Sequence, residues 1–371
     1  MKVLYLGHYR EGTGWAKAAQ DLILALDSVG VDVVCRNIAI SRKADVPERL
    51  QYLEAGNTKG VDYCIQHILP IMYIGTSKFK KNIGYTVLET KDLQCHPWIA
   101  SYQLMSDVWV PCQDNLLELN KCGINNISVV PHAFDIDSYT SDIKDFDFSA
   151  HNIDGTYKFY TIADLTTRKN IEGTLRAYYS AFTNNENVCL VLKVGSIGRD
   201  KQYVYEEIKQ IADDVKNKLN IYSDDSLYAK VIIIADHLDD KEILSLHKTC
   251  DCFIGLSHGE AWSIPAFDAM CMGNHPICTK FAGPKEFIDP YNKDTGTLID
   301  VVFVPCNNRG AALSDIYTGK ESWAVPSERQ AIDAMRSYYT HPSNTKVAGL
   351  SRGQNFSHKI VGAKMKELLL K

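Results

Sequence analysis

Residues 252–286 read CFIGLSHGEAWSIPAFDAMCMGNHPICTKFAGPKE, and this stretch decides the fold. The apolar run 253–256 predicts a buried strand, and the polar turn after it carries Glu260. Pro265 is typical of a first helical position, so Asp268 is expected in the first turn of the helix that follows. Backbone amides at a helix start attract anions by themselves. Two carboxylates beside them indicate a ligand that presents hydroxyls as well as phosphate, as a nucleotide sugar does.

An acidic loop that only caps a helix would carry the same residues. Segment 260–265, EAWSIP, is however followed two residues later by DAM, and together they resemble the E-G-F-G-L-P-x-x-E-A-M signature of the family-4 retaining glycosyltransferases. Ala261 and Ser263 replace glycines of that signature, and Asp268 replaces its second glutamate with a side chain one methylene shorter. The resemblance implies an α/β chain of GT-B fold, with two Rossmann-like domains facing across a cleft.

Composition bounds the class of protein. The chain has 371 residues, 45% of them hydrophobic and 23% charged, which suits two globular domains. A net charge of −5 argues against a general basic surface for nucleic acid. Eleven cysteines without C-x-x-C spacing or a leader segment are expected to be reduced thiols in the cytoplasm. No apolar run reaches the ~20 residues of a membrane span, so only attachment at the periphery of a membrane stays open.

A glycine loop follows the first predicted strand. Gly7 and Gly12 have Walker spacing, but Thr13 stands where the phosphate-binding lysine would be. Gly12 and Gly14 do not complete a dinucleotide fingerprint either, because Lys17 occupies the place of its third glycine. The loop is therefore a tight turn that requires glycine, or, as the resemblance implies, part of the donor or acceptor site through Gly12, Thr13 and Gly14.

Two further candidates lie in the first half of the chain. His67 follows the predicted strand 61–65, at the carboxyl end where open α/β sheets bind ligands. The resemblance implies that it touches the donor sugar near the reacting carbon, although a lone histidine can also be a structural residue. Glu89 is the second candidate for a site residue, and its alternative role is to form an ion pair. The basic residues of segment 78–81, KFKK, suit either a solvated loop or an anionic acceptor.

The domain boundaries come from a second resemblance. Segment 127–135, ISVVPHAFD, resembles the family's I-x-V-I-P-N-G-V-D, which closes the first domain. We therefore predict an acceptor-side domain at 1–135, a linker at 136–155 and a donor-binding domain at 156–345. The last helix, 356–371, is expected to pack back on the first domain.

The second half carries the candidate cations. Segment 164–170, DLTTRKN, resembles the family's G-R-L-x-x-x-K-N and precedes a strongly periodic helix. The resemblance implies that Arg168 and Lys169 bind the donor diphosphate, which this class neutralises without a metal. A solvated helix start is the alternative. His237 and Leu238 follow another predicted strand, at the place where the relatives hold the nucleotide base.

The prediction is thus a retaining, metal-independent glycosyltransferase that moves a sugar from a UDP-, GDP- or ADP-sugar to an acceptor. Glu260 would contact sugar hydroxyls and Asp268 the ribose, with help from the backbone amides of Trp262, Ser263 and Ile264. No cofactor, metal or side-chain nucleophile is expected. A lipid, protein, glycan, small molecule or modified nucleic-acid base would all serve as acceptor. The alternatives are a sugar-nucleotide epimerase on the same fold and a catalytically silent nucleotide-sugar-binding protein.

Overall fold

A computed structural model describes residues 1–40, 44–306, 316–342 and 345–371. The chain divides into two compact units, one of residues 1–136 with 354–371 and one of residues 137–353. Segment 136–155, predicted as a linker, contains two short 3-10 helices, and all of it after Ile136 belongs to the second unit.

A parallel sheet forms the centre of the first unit. Its strands in the described ranges are β1 (Lys2–Gly7), β2 (Asp32–Asn37), β3 (Tyr63–His67), β4 (Lys81–Tyr85), β5 (Asp107–Val110) and β6 (Ile127–Val129). Its helices up to this point of the chain are α1 (Gly14–Ser28), α2 (Glu48–Glu54), α3 (Trp98–Tyr102) and α4 (Gln113–Lys121). The strand order is β2-β1-β3-β4-β5-β6. Because the chain leaves β1 first to one side and then to the other, the sheet has a topological switch point between β1 and β3.

A second parallel sheet forms the centre of the second unit. Its strands are β7 (Tyr157–Asp164), β8 (Val188–Gly195), β9 (Lys230–Ile234), β10 (Cys252–Gly255), β11 (His275–Thr279) and β12 (Thr297–Ile299). An antiparallel hairpin pairs β13 (Val301–Pro305) with β14 (Ser322–Pro326). The sheet order is β12-β11-β10-β7-β8-β9, so its switch point lies between β7 and β10.

Helices cover the second sheet. They are α5 (Ile171–Ala181), α6 (Lys201–Leu219), α7 (Asp240–Thr249), α8 (Ile264–Met272), α9 (Pro284–Phe287), α10 (Glu328–Thr340) and α11 (Lys346–Gly353). Short 3-10 helices are Pro70–Met72, Ile136–Thr140, Ser149–His151, Thr167–Lys169, Asp225–Leu227, Lys293–Thr295 and Gln354–Phe356. The apolar strands are buried between these layers, which is the arrangement that continuous Val/Ile/Leu runs favour. The predicted α/β class with two Rossmann-like sheets is confirmed.

The C-terminal helix, α12 (His358–Leu370), packs on α1 within the first unit. A Cβ at Gly362 would lie 2.0 Å from the carbonyl oxygen of Ala25, so only glycine lets the two helices approach this closely. Lys366 donates to the carbonyl of Val29 at 2.8 Å. No helix in the described ranges has the length and apolar character needed to cross a membrane.

Two local predictions differ from the structure. The strand predicted at 61–65 is β3, Tyr63–His67, so His67 is its last residue and does not follow it. Helix α8 begins at Ile264 rather than Pro265, since proline is also tolerated at the second helical position, where an N–H would lack an intrahelical partner. Asp268 is therefore its fifth residue and lies beyond the first turn.

Candidate functional site

Two loops meet at the switch point of the second sheet. One follows β7 and the other follows β10, and these strands are neighbours. The backbone N–H of His258 donates to the carbonyl of Arg168 at 2.7 Å. The Asn170 amide donates to the carbonyl of Leu256 at 2.8 Å, and the Arg168 guanidinium donates to the carbonyl of Gly259 at 2.6 Å. These bonds hold the two loops in a fixed relation to each other.

The predicted cations and one predicted carboxylate come together here. Lys169 Nζ lies 2.5 Å from Glu260 Oε1, and Arg168 Nη1 lies 3.5 Å from Glu260 Oε2. The hydroxyl of Ser257 donates to Oε1 at 2.7 Å. The three charged side chains are only 13–17% exposed. Two cations thus face one carboxylate in this cluster, a combination that suits an anionic ligand.

Electrostatics keep Glu260 ionised. Burial alone would raise the pKa of its carboxyl. The charges of Lys169 and Arg168, together with hydrogen bonds from Lys169 and Ser257, outweigh burial and hold this pKa below its usual range. Glu260 is therefore an acceptor of hydrogen bonds at neutral pH, which is the property that contact with sugar hydroxyls requires.

The loop from Glu260 to α8 has a constrained backbone. Ser263, where the family signature has glycine, takes the left-handed conformation with φ of 72°. Gly283 passes so close to this loop that a Cβ there would lie 2.1 Å from the Cα of Trp262. The indole of Trp262 is buried near the ring of Phe287, at 5.7 Å between ring centroids. The side chain of Trp262 is thus part of the core, and only the backbone of this residue belongs to the loop surface.

The start of α8 lies directly after this loop. Ser263 is its N-cap residue but makes no side-chain capping bond, and Ser263 and Ile264 are both half-buried. Pro265 has no N–H to offer. The N–H groups of Ser263 and Ile264 are therefore the amides that an anion could bind at this helix start.

Asp268 lies in a chain of buried polar side chains. The hydroxyl of Tyr139 donates to Asp268 Oδ1 at 2.5 Å. His247 Nε2 lies 4.0 Å from Asp268 Oδ2, and His247 Nδ1 lies 2.6 Å from the hydroxyl of Tyr160. The amide of Asn274 donates to that same hydroxyl at 2.7 Å.

These contacts favour one tautomer of His247. Because Asn274 donates to the Tyr160 oxygen, the Tyr160 proton is directed to His247 Nδ1. The proton of the neutral imidazole is then on Nε2, the nitrogen nearest Asp268. Burial lowers the pKa of His247 to about 3, so the ring is neutral at physiological pH.

The predicted base site lies apart from this cluster. His237 is exposed and Leu238 half-buried, both in the loop after β9. That strand lies at the edge of the sheet, two places from β7. The two residues therefore share the carboxyl edge of the sheet with Arg168 and Glu260 without belonging to the charged cluster.

His67 lies at the switch point of the first sheet, at the end of β3. Its side chain is fully buried, and Nδ1 is 2.8 Å from the hydroxyl of Tyr5. Burial, with smaller effects from His132 and His8, holds its pKa well below the usual value. Nε2 has no hydrogen-bond partner among the described residues, an arrangement that a ligand oxygen would satisfy.

The glycine loop has local structural roles. Gly12 has φ of 65°, a conformation that favours glycine. Thr13 caps α1 by accepting a bond from the Ala16 N–H at 3.2 Å, and Gly14 is the first helical residue. The loop follows β1, the neighbour of β3, so it lies at the same switch point as His67. Contact of Gly12, Thr13 or Gly14 with a substrate stays a prediction.

The remaining candidates of the first half have ordinary surroundings. Lys80 pairs with Asp62 at 2.9 Å, and Lys81 donates to the carbonyl of Leu368 at 3.2 Å. Glu89 is half-buried in the segment after β4. Among the residues that the structure describes, no three His, Cys, Asp or Glu side chains come together as they would around a metal ion.

Sequence reasoning missed three residues that touch or adjoin the site. Ser257 is three positions before Glu260 in the same loop, so the spacing offered a signal. Tyr139 and His247 approach Asp268 from distant parts of the chain. Only the tertiary fold brings these two residues to Asp268, and no local sequence pattern indicates the contact.

Comparison with known proteins fits this geometry. Residues 143–303 match the family model described as glycosyl transferases group 1. This segment contains the loops that carry Arg168, Lys169 and Glu260. No curated protein sequence matches the chain. The family match confirms the prediction that the protein is a glycosyltransferase.

Solved structures share the whole fold. The chain is similar to Anabaena Alr3699/HepE in complex with UDP and glucose (12% identity, TM-score 0.62, 100% of this chain and 99% of that one). It is similar to sucrose-phosphate synthase of Thermosynechococcus elongatus (11%, TM-score 0.65, 100% and 98%). A third is an E. coli trehalose-6-phosphate protein bound with UDP-2-fluoro glucose (8%, TM-score 0.64, 100% and 99%). At these identities the likeness establishes the fold, and the predicted GT-B architecture is confirmed.

Proposed function

We propose that this glycosyltransferase moves a sugar from a nucleoside-diphosphate sugar to an acceptor hydroxyl, with retention of configuration and without a metal. The observation that carries the proposal is the cluster of Arg168, Lys169 and Glu260 at the switch point of the second sheet. The cations that can bind a diphosphate lie there within ion-pair distance of an ionised carboxylate, which can bind hydroxyls. A donor that contains a diphosphate and a sugar needs both.

Arg168 and Lys169 stabilise the leaving group. When the glycosidic bond breaks, negative charge develops on the diphosphate, and fixed cations stabilise that transition state more than the ground state. Arg168 can bind phosphate oxygens in bidentate fashion, and Lys169 contributes a compact charge. The free amides at the start of α8 supplement them.

Glu260 and Asp268 orient the donor. Glu260 accepts hydrogen bonds from hydroxyls of the transferred sugar, because its carboxyl is ionised. Asp268 accepts those of the ribose, and the loop at His237 and Leu238 holds the base. Contact of His67 with the donor sugar stays a prediction.

We propose retention because the family that the chain resembles retains configuration. The mechanism also needs no side chain as a catalytic base. The leaving phosphate takes the acceptor proton on the same face of the sugar, so the bond to the acceptor forms where the bond to the diphosphate broke. UDP-sugars are the first donors to test, since UDP or a UDP-sugar is present in the Anabaena and E. coli structures.

The test is a panel of UDP-, GDP- and ADP-sugars, with water or added glycosides as acceptors. Nucleotide release is measured with and without EDTA, and the anomeric configuration of the first product by NMR. We expect one nucleotide to give turnover that survives EDTA, with a retained anomer. An inverted first product would contradict the mechanism, and full loss with EDTA restored by Mn²⁺ would contradict metal independence.

A matched pair of variants tests the cations. Lys169→Met should lower kcat about ten- to a hundredfold, the worth of a bond to a charged group. Lys280→Met is the control, because Lys280 follows a neighbouring strand at the same edge but pairs with the exposed Asp300. If both variants lowered kcat by the same factor, the assignment of Lys169 to the donor site would be wrong.

A further inference from the structure

Lys193 is a charged residue inside the sheet of the second unit. It lies in β8, and the rest of segment 188–194 is apolar. The residue is 8% exposed. Burying an ammonium group is costly unless it is paired. Among the described residues the ammonium of Lys193 makes no hydrogen bond and has no carboxylate within ion-pair distance, but it is not one of the side-chain nitrogens that are shielded from water. The ammonium therefore reaches water, where a ligand can reach it as well.

The carboxyl end of β8 is the nearest end of the strand at which the ammonium of Lys193 can reach water. Lys193 pairs in register with Ile162 of β7 and Ile234 of β9, and the strand ends two residues later at Gly195. Two residues of strand span roughly 7 Å, a distance that an extended lysine side chain nearly covers. Such side chains bury the stem and bring the charge towards water.

Two acidic residues support this placement. Burial lowers the pKa of Lys193, and the charges of Asp164 and Asp236 oppose that shift. Asp164 ends β7, and Asp236 follows β9, so both are at the carboxyl edge, one on each side of β8. Asp236 is already bound to Lys201 at 2.6 Å. The ammonium of Lys193 therefore lies between the strand that leads to Arg168 and the strand that leads to His237.

We propose that Lys193 binds the diphosphate of the nucleotide donor, as a third cation beside Arg168 and Lys169. The inference rests on the proposed function of this edge. Arg168 and Lys169 both face Glu260, so part of their positive charge is already offset by that carboxylate before a diphosphate binds. Lys193 adds a cation from the strand next to the one that leads to Arg168.

The substitution Lys193→Met separates a binding role from a structural one. Methionine keeps the unbranched apolar stem and removes the buried charge. If Lys193 binds the diphosphate, the affinity for UDP should fall about ten- to a hundredfold while the melting temperature rises. A purely structural lysine would not change both properties in opposite directions. Lys230→Met is the control, since Lys230 is the first residue of β9 and so lies at the amino ends of the strands, away from the carboxyl edge.

The measurement is the Kd of UDP and of uridine by calorimetry or competition, for the wild type and both variants. We expect Lys193→Met to weaken UDP but not uridine, and Lys230→Met to weaken neither. Unchanged UDP affinity in Lys193→Met would overturn the role of Lys193 alone, and so would equal losses for UDP and uridine. A wild type that binds none of UDP, GDP and ADP would instead overturn the proposed function. Lys193→Gln is the second variant should Lys193→Met not fold, and it must show the same selective loss.

Discussion

The hydroxyl of Tyr139 donates a 2.5 Å hydrogen bond to the carboxylate of Asp268, across 129 positions of the sequence. This length is typical of a hydroxyl bound to an ionised carboxylate. The bond restricts the rotation of the Asp268 side chain, and under the proposed function it preorganises this carboxylate for the ribose.

Tyr139→Phe should therefore raise the donor KM about two- to tenfold and leave kcat nearly unchanged. The variant loses one hydrogen bond from an uncharged hydroxyl to Asp268, whose proposed contact with the ribose is the same in the ground state and in the transition state. Steady-state kinetics with the donor found by the panel measure this. Tyr178→Phe is the matched control, since its hydroxyl donates to the carbonyl of Lys230 at 3.0 Å. A KM that changes equally in both variants would argue against a role for Tyr139 in orienting Asp268.

The left-handed Ser263 gives a prediction about stability. Ser263→Gly should raise the free energy of unfolding by about 1 kcal/mol, because a side chain in that conformation costs about 1–2 kcal/mol and glycine's freedom in the unfolded chain offsets part of the gain. Ser263 makes no capping bond that would be lost. Urea denaturation measures the difference.

A second serine serves as the control. Ser327 caps α10 with φ of −67° and accepts a bond from Gln330 N–H. Ser327→Gly should therefore lower the stability by a few tenths of a kcal/mol. If Ser263→Gly also destabilises the protein, the loop conformation described for residues 260–263 is wrong.

Buried neutral histidines predict a loss of stability in mild acid. Burial lowers the pKa of His132 and His247 to about 3 and that of His275 to about 4. Between pH 6.5 and these values the unfolded chain binds protons that the folded chain does not, so stability falls as the pH falls. Each histidine should cost about 2 kcal/mol by pH 5 relative to neutral pH. Glu260, whose pKa lies below its usual range, stays ionised there.

Melting temperatures from pH 7.5 to 5 test this expectation. His275→Gln should make the decline shallower, whereas His237→Gln should not, because His237 is exposed. A melting temperature that stays constant between pH 6.5 and 5 would contradict the buried, neutral state of these rings.

Much of the fold could be predicted from the sequence, because its signals are local. The apolar run 253–256 locates β10 (Cys252–Gly255) within one residue, and Pro265 locates the start of α8 within one residue. Arg168, Lys169 and Glu260 were singled out from motif resemblance, and the structure brings them together. Strand β14 was not predicted, because its pairing with β13 depends on a residue separation that no local pattern encodes.

The environment of Asp268 could not be predicted for the same reason. Its place in α8 depends on whether Ile264 or Pro265 begins the helix, a difference of one residue that propensity does not decide. Its partners Tyr139 and His247 come from a segment predicted as a linker and from the preceding helix α7. Such contacts follow from the packing of the whole unit and not from the motif.

The most direct test compares Glu260→Gln with Asp268→Asn in steady-state kinetics, after melting temperatures have shown that both variants fold. In the proposed mechanism Glu260 contacts the sugar while the bond breaks, and Asp268 contacts the ribose throughout. We therefore expect Glu260→Gln to lower kcat about ten- to a hundredfold and Asp268→Asn to raise the donor KM by a similar factor. A Glu260→Gln variant with near-native kcat and KM would contradict the assignment of this cluster as the donor site.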